Sequence, residues 1–206
     1  MKEHLETWIS SAIKRNAQEL KLSFCSSPGP LVRFPDHVFV CRTLVCQKLF
    51  DDVVVDVPAN VCFQSLKILQ LDRVQYANDG SLKKLLSSCP ILEDLIVERT
   101  WNDGILVLDI NVTSLKRINV QRLSFGTGCH KVLINAPLLE RIELLDTTIW
   151  DFRVEDLSNV VEAIIDVRAV PVLIKEMCNV KFLSVSEPAF MSMCQLRILV
   201  SPDSLA

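Results

Sequence analysis

Cysteine and histidine are the residues of this chain whose side chains most readily act as metal ligands, nucleophiles or bases. The eight cysteines are Cys25, Cys41, Cys46, Cys62, Cys89, Cys129, Cys178 and Cys194. No two of them form a Cys-x-x-Cys pair, the spacing typical of zinc and redox sites. We expect reduced thiols that pack as small hydrophobic side chains, with a disulfide framework or a structural zinc site as the alternatives.

The histidines and the carboxylates form no recognisable catalytic motif. We expect His4, His37 and His130 to be surface or turn residues, and the pair of glycines at 126 and 128 to be a turn. The acidic residues of 51–52 and 151–156 offer a metal site or an acid–base pair, although loop carboxylates are usually solvated. No nucleophile elbow, P-loop or dinucleotide-binding motif occurs. We therefore predict no catalytic residues, no cofactor and no metal, and so a protein that is not an enzyme.

Composition and charge narrow the partners that the chain can have. Its 22 basic and 25 acidic residues give a formal net charge of −3, so the basic stripe of a nucleic-acid-binding protein is missing. No apolar run approaches the roughly 18–20 residues of a membrane span. The N-terminal apolar residues lie at helical spacing with charged residues between them, unlike the unbroken apolar run of a signal peptide; they are Leu5, Trp8, Ile9, Ala12 and Ile13. We expect a protein partner in the cytoplasm or nucleus, with no nucleic acid and no membrane.

The elements that must position the polar residues recur along the chain as one short phrase. A leucine-like residue is followed by two variable positions, a second leucine-like residue, one variable position and a third. The clear copies are LKILQL (66–71), LEDLIV (92–97), LKRINV (115–120) and LERIEL (139–144), and the weaker ones are AQELKL, LVCQKL, VVEAIIDV and VKFLSV. Their middle positions, 20, 47, 69, 95, 118, 142, 165 and 183, lie 18 to 27 residues apart, close to the spacing of leucine-rich repeats.

This phrase predicts an α/β fold, a leucine-rich-repeat solenoid. In a short strand alternate side chains point to opposite faces, and stacking such strands buries the apolar face of each against its neighbours. We expect a curved right-handed stack with a parallel sheet on the concave face, and short helices and irregular segments on the convex face. The prediction is a single domain over 1–206, with about eight irregular repeats and an N-terminal helix over 3–16.

Several return segments between the repeats carry signals of their own. Apolar residues at helical spacing predict helices over 81–88 and 172–178, and a short turn over 35–41. The stretches 99–114 and 121–136 look extended and are expected to add minor strands on the convex side. A last strand is expected to start at 196–200.

The polar residues that alternate outward on the predicted strands would line the concave face. They are Asp94, Ile96, Glu98, Arg117, Asn119, Gln121, Arg141, Glu143, Leu145, Asp166 and Arg168. Since adjacent strands lie about 4.8 Å apart, we expect Arg117 beside Arg141 and Asn119 beside Glu143. The set is either a solvated sheet face with cross-strand pairs, or a mixed-charge binding strip with apolar spots at Ile96 and Leu145.

Beyond the general repeat, longer phrases resemble one family. LLSSCPILEDLIVERT (85–100) resembles the repeat region of plant F-box proteins that carry leucine-rich repeats and an FBD domain. The matching positions are Leu85, Leu86, Ser87, Cys89, Pro90, Leu92, Glu93 and Leu95. Further similar stretches are WISSAIKRNAQELKL, FPDHVFVCRTLVCQKL, VDVPANVCFQSLKILQLDRVQY, INAPLLERIELLD and LSNVVEAIIDV. Gln47 stands where the family usually has a leucine.

The resemblance implies a protein–protein interaction module, similar to the substrate-recognition region of an F-box subunit of an SCF-type, cullin-based E3 ubiquitin ligase. It implies an unknown protein substrate or partner, and binding to the ligase adaptor only if an F-box lies outside this chain. The alternative is a free-standing leucine-rich-repeat scaffold, or a truncated F-box relative with no link to a ligase.

Overall fold

A computed structural model describes residues 2–24, 31–100, 102–122, 131–146, 151–167 and 170–186 of the chain. In chain order its helices and strands are α1 Lys2–Lys14, β1 Glu19–Phe24, β2 Val32–Arg33, a 3-10 helix Asp36–Val40, β3 Cys46–Asp51, β4 Val53–Val55, β5 Ile68–Asp72, β6 Gln75–Tyr76, α2 Ser81–Ser87, β7 Asp94–Arg99, β8 Val107–Asn111, β9 Arg117–Arg122, β10 Lys131–Asn135, β11 Arg141–Leu145, β12 Asp151–Glu155, β13 Glu162–Asp166, α3 Val170–Glu176 and β14 Phe182–Val185. The strand start predicted at 196–200 lies outside the described residues.

Eight parallel strands form the main sheet, in the order β1-β3-β5-β7-β9-β11-β13-β14. Each strand follows its neighbour in the sheet after one return segment, which is the connectivity of a solenoid. Every copy of the repeat phrase coincides with one of these strands. The predicted leucine-rich-repeat solenoid with a parallel sheet is confirmed.

The register predicted for the seventh copy is wrong by two residues. Ile142 of β11 pairs with Ala163 and Leu144 pairs with Ile165, so the middle position of this copy is Ala163 and not Ile165. Ala163 is fully buried, but alanine is not leucine-like, and Ile164 beside it faces the other way. The resulting apolar run conceals the alternation. With position 163 in place, the last two repeats are 21 and 20 residues long (163 − 142 and 183 − 163).

The backbone just before each main strand forms a second repeating pattern. The carbonyl of Lys67 accepts hydrogen bonds from the N–H groups of both Glu93 and Asp94, and the carbonyl of Glu93 accepts from Lys116 and Arg117. Each residue of this series donates its N–H to the carbonyl of the preceding member, accepts from the next member at its own carbonyl, or does both. The series is Gln18, Val45, Lys67, Glu93, Lys116, Glu140, Val161 and Lys181. We call this series the amino edge of the main sheet. It fixes the start of each strand against the preceding repeat.

The return segments contain two small parallel sheets of three strands each, β2-β4-β6 and β8-β10-β12. The minor strands expected in 99–114 and 121–136 are present as β8 and β10. The sheet β2-β4-β6 was not predicted from the sequence, because its strands are only two or three residues long. Leu108, Ile110, Val132 and Ile134 of the second small sheet are buried in the same core as the main strands.

Helices form part of the return path at several points along the stack. α2 and α3 confirm the helices predicted in 81–88 and 172–178, and the 3-10 helix occupies the turn predicted over 35–41. The N-terminal helix, expected over 3–16, spans Lys2–Lys14 and buries Ile9 in the core. Trp8 of the same helix is 70% exposed although it belongs to the apolar set of the sequence pattern.

The core is largely aliphatic, but several polar residues and thiols are also buried. Gln47 occupies the middle position of its repeat with only 1% exposure; its amide nitrogen donates to the carbonyl of Leu20 at 3.2 Å. Cys41, Cys46 and Cys89 are free and buried, as expected of packed thiols, and burial raises the pKa of Cys89 to about 12. The expectation of packing is wrong for Cys62 and Cys178, which are free but exposed. Cys25, Cys129 and Cys194 lie outside the described residues.

Candidate functional site: the open face of the main sheet

The main strands turn their alternate side chains away from the core and form a continuous surface, which we call the open face. Its side chains fall into three rows that run across the strands. The amino row is Glu19, Cys46, Ile68, Asp94, Arg117, Arg141, Glu162 and Phe182. The middle row is Lys21, Lys48, Gln70, Ile96, Asn119, Glu143, Ile164 and Ser184. The carboxyl row is Ser23, Phe50, Asp72, Glu98, Gln121, Leu145 and Asp166.

Ten of the eleven residues predicted to line the sheet lie on the open face, and Arg168 lies outside the described residues. Arg141 pairs with Arg117 and Glu143 with Asn119, as the predicted register requires. Their role in binding stays a prediction. The solenoid therefore brings together, on one surface, residues that are up to 72 positions apart in the sequence (166 − 94).

The predicted strip left out the outward residues of β1, β3, β5 and β14 and part of those of β13. Gln70 and Asp72 alternate outward in the copy LKILQL, and extending the predicted strip by one strand would have found them. Glu162 and Ile164 were missed because the register of their repeat was misplaced by two residues. Ile164 adds an apolar side chain to the middle row, and Glu162 adds a carboxylate beside Arg141.

Both arginines of the amino row are held by carboxylates. Nη2 of Arg117 donates a hydrogen bond to Oδ2 of Asp94 on the neighbouring strand, and Nε of Arg117 lies 2.5 Å from Oδ1 of Asp94 in the same ion pair. Arg141 lies 3.3 Å from Glu162 and 3.9 Å from Glu143, measured between nitrogen and oxygen atoms. These pairs offset the repulsion between two adjacent guanidiniums, and they hold the long side chains to the sides of a depression in the open face.

That depression is a hollow of about 220 Å³ at the centre of the described sheet. Its lining side chains include Ile68, Ile96, Asn119, Asp94, Arg117, Arg141 and Glu143. The side-chain oxygen Oδ1 of Asn119 is buried without a hydrogen-bond partner. The hollow thus combines half-buried isoleucines with one unsatisfied acceptor and a charged surround, which is the usual composition of a binding pocket.

Acidic side chains dominate where β3, β5 and β7 end. We call Asp51, Asp52, Asp72, Arg73 and Glu98 the carboxyl edge. Arg73 bridges two repeats, because its Nε lies 2.7 Å from Asp51 and its Nη1 donates to Glu98. Glu98 also accepts from Gln121 at 3.2 Å. The edge thus holds four carboxylates and one guanidinium, which pairs with Asp51 and Glu98. Part of this edge lines a second hollow of about 320 Å³ with Gln75, Thr100 and Asn102.

Asp72 differs from the other carboxylates of this edge because it is only 6% exposed. Its Oδ2 accepts a hydrogen bond from Gln70 at 2.8 Å, whereas its Oδ1 is buried without a hydrogen-bond partner. Burial raises the pKa of Asp72, and the charges of Glu98 and Asp51 act in the same direction. A buried carboxylate with a free acceptor position costs free energy in the unbound protein.

The described residues include no group of three or more histidine, cysteine, aspartate or glutamate side chains that could hold a metal ion. His4 and His37 are exposed, as expected; His37 lies 3.0 Å from the hydroxyl of Ser10, and His130 is not among the described residues. Of the acidic residues expected in loops, Asp51 is the last residue of β3 and pairs with Arg73, and Asp151 is the first residue of β12 and pairs with Lys131. In the described part of the chain, no helix is both long and apolar enough to cross a membrane.

Fold and open face define a leucine-rich-repeat solenoid, a class of protein in which the exposed sheet serves interaction with other proteins. The family model for the LRR repeats of FBD-associated F-box protein At5g56370 matches residues 5–164. Because this match covers most of the chain, the protein belongs to that family of F-box-associated leucine-rich-repeat proteins. The role that the family suggests is a protein-interaction module.

Individual relatives come from Arabidopsis thaliana. The putative F-box/FBD/LRR-repeat protein At4g00315 is 38% identical over 147 residues, which are 70% of this chain and 33% of the relative. The F-box/FBD/LRR-repeat protein At5g56420 is 37% identical over 162 residues, 78% of this chain and 38% of the relative. The FBD-associated F-box protein At4g10400 is 35% identical over 190 residues, 89% of this chain and 45% of the relative. The match thus spans less than half of each of these relatives, and no solved structure matches the chain.

Proposed function

We propose that this chain is a partner-recognition module whose open face binds another protein, as the substrate-recognition region of an F-box subunit of an SCF-type E3 ubiquitin ligase. The observation that carries the proposal is the open face itself. It combines apolar side chains, charge pairs and a central hollow on one rigid sheet, where binding groups are held in fixed geometry. The names of the relatives connect this type of repeat with F-box proteins.

The proposed role is non-enzymatic and places the residues of the open face in two classes. Ile68, Ile96 and Leu145 supply apolar contact area, which is the main source of free energy in protein association. Arg117 and Arg141 supply directional charge that selects among partners and speeds their encounter. The binding protein would be the substrate to be ubiquitinated, and the adaptor contact would belong to an F-box outside this chain.

Charge reversal tests the proposal on the natural reading frame expressed in plant cells with a proximity-labelling tag. The variant Arg117→Glu/Arg141→Glu places two negative charges beside Asp94 and Glu162 on the open face. We expect labelling of the protein partner to fall at least about tenfold, equal to a loss of 1.4 kcal/mol in binding. Labelling of the ligase adaptor in the same cells should not change.

The control variant is Arg33→Glu/Lys175→Glu, which makes the same change in net charge outside the open face, at exposed positions of β2 and α3. It should label the partner as the wild type does. If Arg117→Glu/Arg141→Glu labels the partner as strongly as this control does, binding on the open face is contradicted. Partner labelling without any adaptor labelling would instead favour the free-standing scaffold, in which recognition is not coupled to a ligase.

A further inference from the structure

The unsatisfied acceptor at the centre of the open face favours a ligand with backbone donors. Oδ1 of Asn119 is buried and accepts no hydrogen bond, and Asn119 lines the hollow beside Ile96. A carboxamide can accept from a peptide N–H and donate to a peptide carbonyl with the same side chain. An extended polypeptide offers both groups along its whole length, because its backbone is not paired internally.

The size and composition of the hollow indicate what side chain such a segment would place there. A cavity of about 150 Å³ holds a benzene molecule, so the hollow of about 220 Å³ accepts one large apolar side chain. Ile68 and Ile96 provide apolar contacts for it. The neighbouring charges are already paired, Arg117 with Asp94 and Arg141 with Glu162, and do not require a charged ligand group.

The carboxyl edge, in contrast, has acceptor capacity and negative charge in excess. The carboxyl row contains Asp72, Glu98 and Asp166 and has no basic residue among its described members. Arg73, the neighbouring cation, is engaged by Asp51 and Glu98. Asp72 retains a buried oxygen without a hydrogen bond, and the strand register places it in the carboxyl row of the open face, beside Glu98. A cation from the partner would complement this charge.

The distance between the hollow and the carboxyl edge indicates the direction in which an extended ligand segment lies on the sheet. Ile96 and Glu98 are two residues apart on β7, which corresponds to about 6.7 Å along a strand. Side chains i and i+2 of an extended ligand have the same separation and point the same way. A ligand crossing the strands would meet side chains about 4.8 or 9.6 Å apart, which does not fit. The segment therefore runs along the strands.

Building on the proposed function, we infer that the open face binds an extended segment of the partner protein with the pattern apolar-x-basic. The apolar side chain fills the hollow at Ile68 and Ile96, and the basic side chain two positions along contacts Asp72 and Glu98 at the carboxyl edge. The backbone between them hydrogen-bonds with Asn119. The recognised chemistry is that of a short unpaired stretch of protein chain with a lysine or arginine.

A random linear peptide library displayed on phage, selected on the immobilised full chain, tests the inference without knowledge of the natural partner. Enriched peptides should share an apolar residue followed two positions later by lysine or arginine. In a synthetic copy of one enriched peptide, replacing the basic residue by glutamate should weaken binding at least tenfold, measured by fluorescence anisotropy. Replacing the apolar residue by serine should have an effect of similar size.

Two variants of the protein locate the contacts. Asp72→Asn keeps the shape of the side chain and should weaken the enriched peptide five- to tenfold, but should not affect the same peptide with alanine in place of the basic residue. Ile96→Ser should weaken both peptides equally. The matched controls Asp56→Asn and Leu106→Ser, exposed positions outside the main strands, should bind like the wild type.

The outcomes separate the inference from the proposed function. If enriched peptides lack the pattern or carry acidic residues, yet lose binding with Ile96→Ser, the inference is overturned while binding on the open face stands. If substitutions on the open face leave every enriched peptide unaffected, both fail. A library that yields no enriched peptide also overturns the inference, because a linear segment is then not what the face recognises.

Discussion

The two edges of the main sheet handle charge in different ways. At the amino edge, Lys67 and Lys116 lie 3.0 and 3.3 Å from the carboxylate of Glu93, in contact with solvent. Their hydrogen bonds lower the pKa of Glu93. At the carboxyl edge, Asp51 and Glu98 share Arg73, and burial raises the pKa of Asp72.

The charges of the amino edge therefore stabilise the folded stack of repeats, whereas the buried carboxylate of the carboxyl edge destabilises it. Alternating signs at the amino edge favour the folded state, since each ion pair joins consecutive repeats. A buried, partly unsatisfied carboxylate at the carboxyl edge opposes folding. Such a residue is expected where binding requires it, and the comparison therefore supports the placement of the ligand cation at this edge.

The largest expected effect concerns the buried ion pair that follows the carboxyl edge. Arg99 and Asp103 are 2% and 3% exposed and form two hydrogen bonds of 2.7 and 2.8 Å. Asp103→Ala leaves a buried guanidinium without its counterion, and we expect the free energy of unfolding to fall by about 3–5 kcal/mol. Urea denaturation followed by circular dichroism measures this loss.

Glu93→Ala makes the corresponding truncation at the amino edge, where the carboxylate is in solvent, and should cost much less. The double variant Arg99→Met/Asp103→Leu removes both buried charges and should recover part of the stability lost in Asp103→Ala. Similar losses for Asp103→Ala and Glu93→Ala would show that the two edges do not differ in the way described.

A smaller effect is expected at Gly104, next to the same ion pair. Its φ of +88° is unfavourable for residues with a Cβ, and a Cβ there would lie 2.7 Å from the carbonyl oxygen of Tyr76. Gly104→Ala should reduce the free energy of unfolding by about 1–3 kcal/mol. Gly80→Ala is the control, since Gly80 has φ −84° and room for a Cβ, and should stay within about 0.5 kcal/mol of wild type. If Gly104→Ala and Gly80→Ala shift the urea unfolding midpoint by the same amount, backbone strain at Gly104 is ruled out.

The smallest effect is a pair of opposite pH dependences. The raised pKa of Asp72 means that the folded protein binds its proton more tightly, so the charged form costs stability above that pKa and the cost disappears as pH falls. Asp72→Asn should therefore stabilise the protein at pH 7, by about 0.5 kcal/mol after solvent screening. The gain should vanish in acid.

Glu93 should behave in the opposite sense, because its pKa is lowered. Its charged form adds stability above the ordinary value of 4.5, and this contribution is lost as pH falls through the lowered pKa. Glu93→Gln should thus destabilise the protein at pH 7 and match the wild type in strong acid. Urea unfolding between pH 3 and pH 7 measures both variants, and curves of the same sign would refute the contrast between the edges.

The sequence predicts most of the sheet because alternation is visible wherever large aliphatic residues mark the inner face. LEDLIV, LKRINV and LERIEL thus give the positions of Ile118 and Ile142 and the outward places of Arg117 and Arg141. Prediction failed at Ala163, where a small residue fills an inner position and Ile164 faces outward. Two isoleucines in succession carry no information about which one is buried.

The hollow and the carboxyl edge were not predictable in the same way. The hollow depends on Arg117 turning towards Asp94 and Arg141 towards Glu162, and such choices among rotamers leave no periodic signal. The carboxyl edge depends on Asp51 and Arg73 adopting φ of +64° and +54°. Arginine is not a residue type that favours a left-handed backbone, and aspartate, although enriched there, adopts it too rarely for Asp51 to be predicted.

The carbonyl series of the amino edge has a consequence for how such genes change length. Each interior turn donates two N–H hydrogen bonds to a carbonyl of the turn before it and accepts two from the next turn, so the pattern is the same at every interior turn. Duplication or loss of one whole turn leaves all of these donors and acceptors matched. A gain or loss of a few residues within a strand would interrupt the series and shift the open face out of line. We therefore expect natural length variants to differ by whole turns, so that the recognition surface gains or loses one strand at a time.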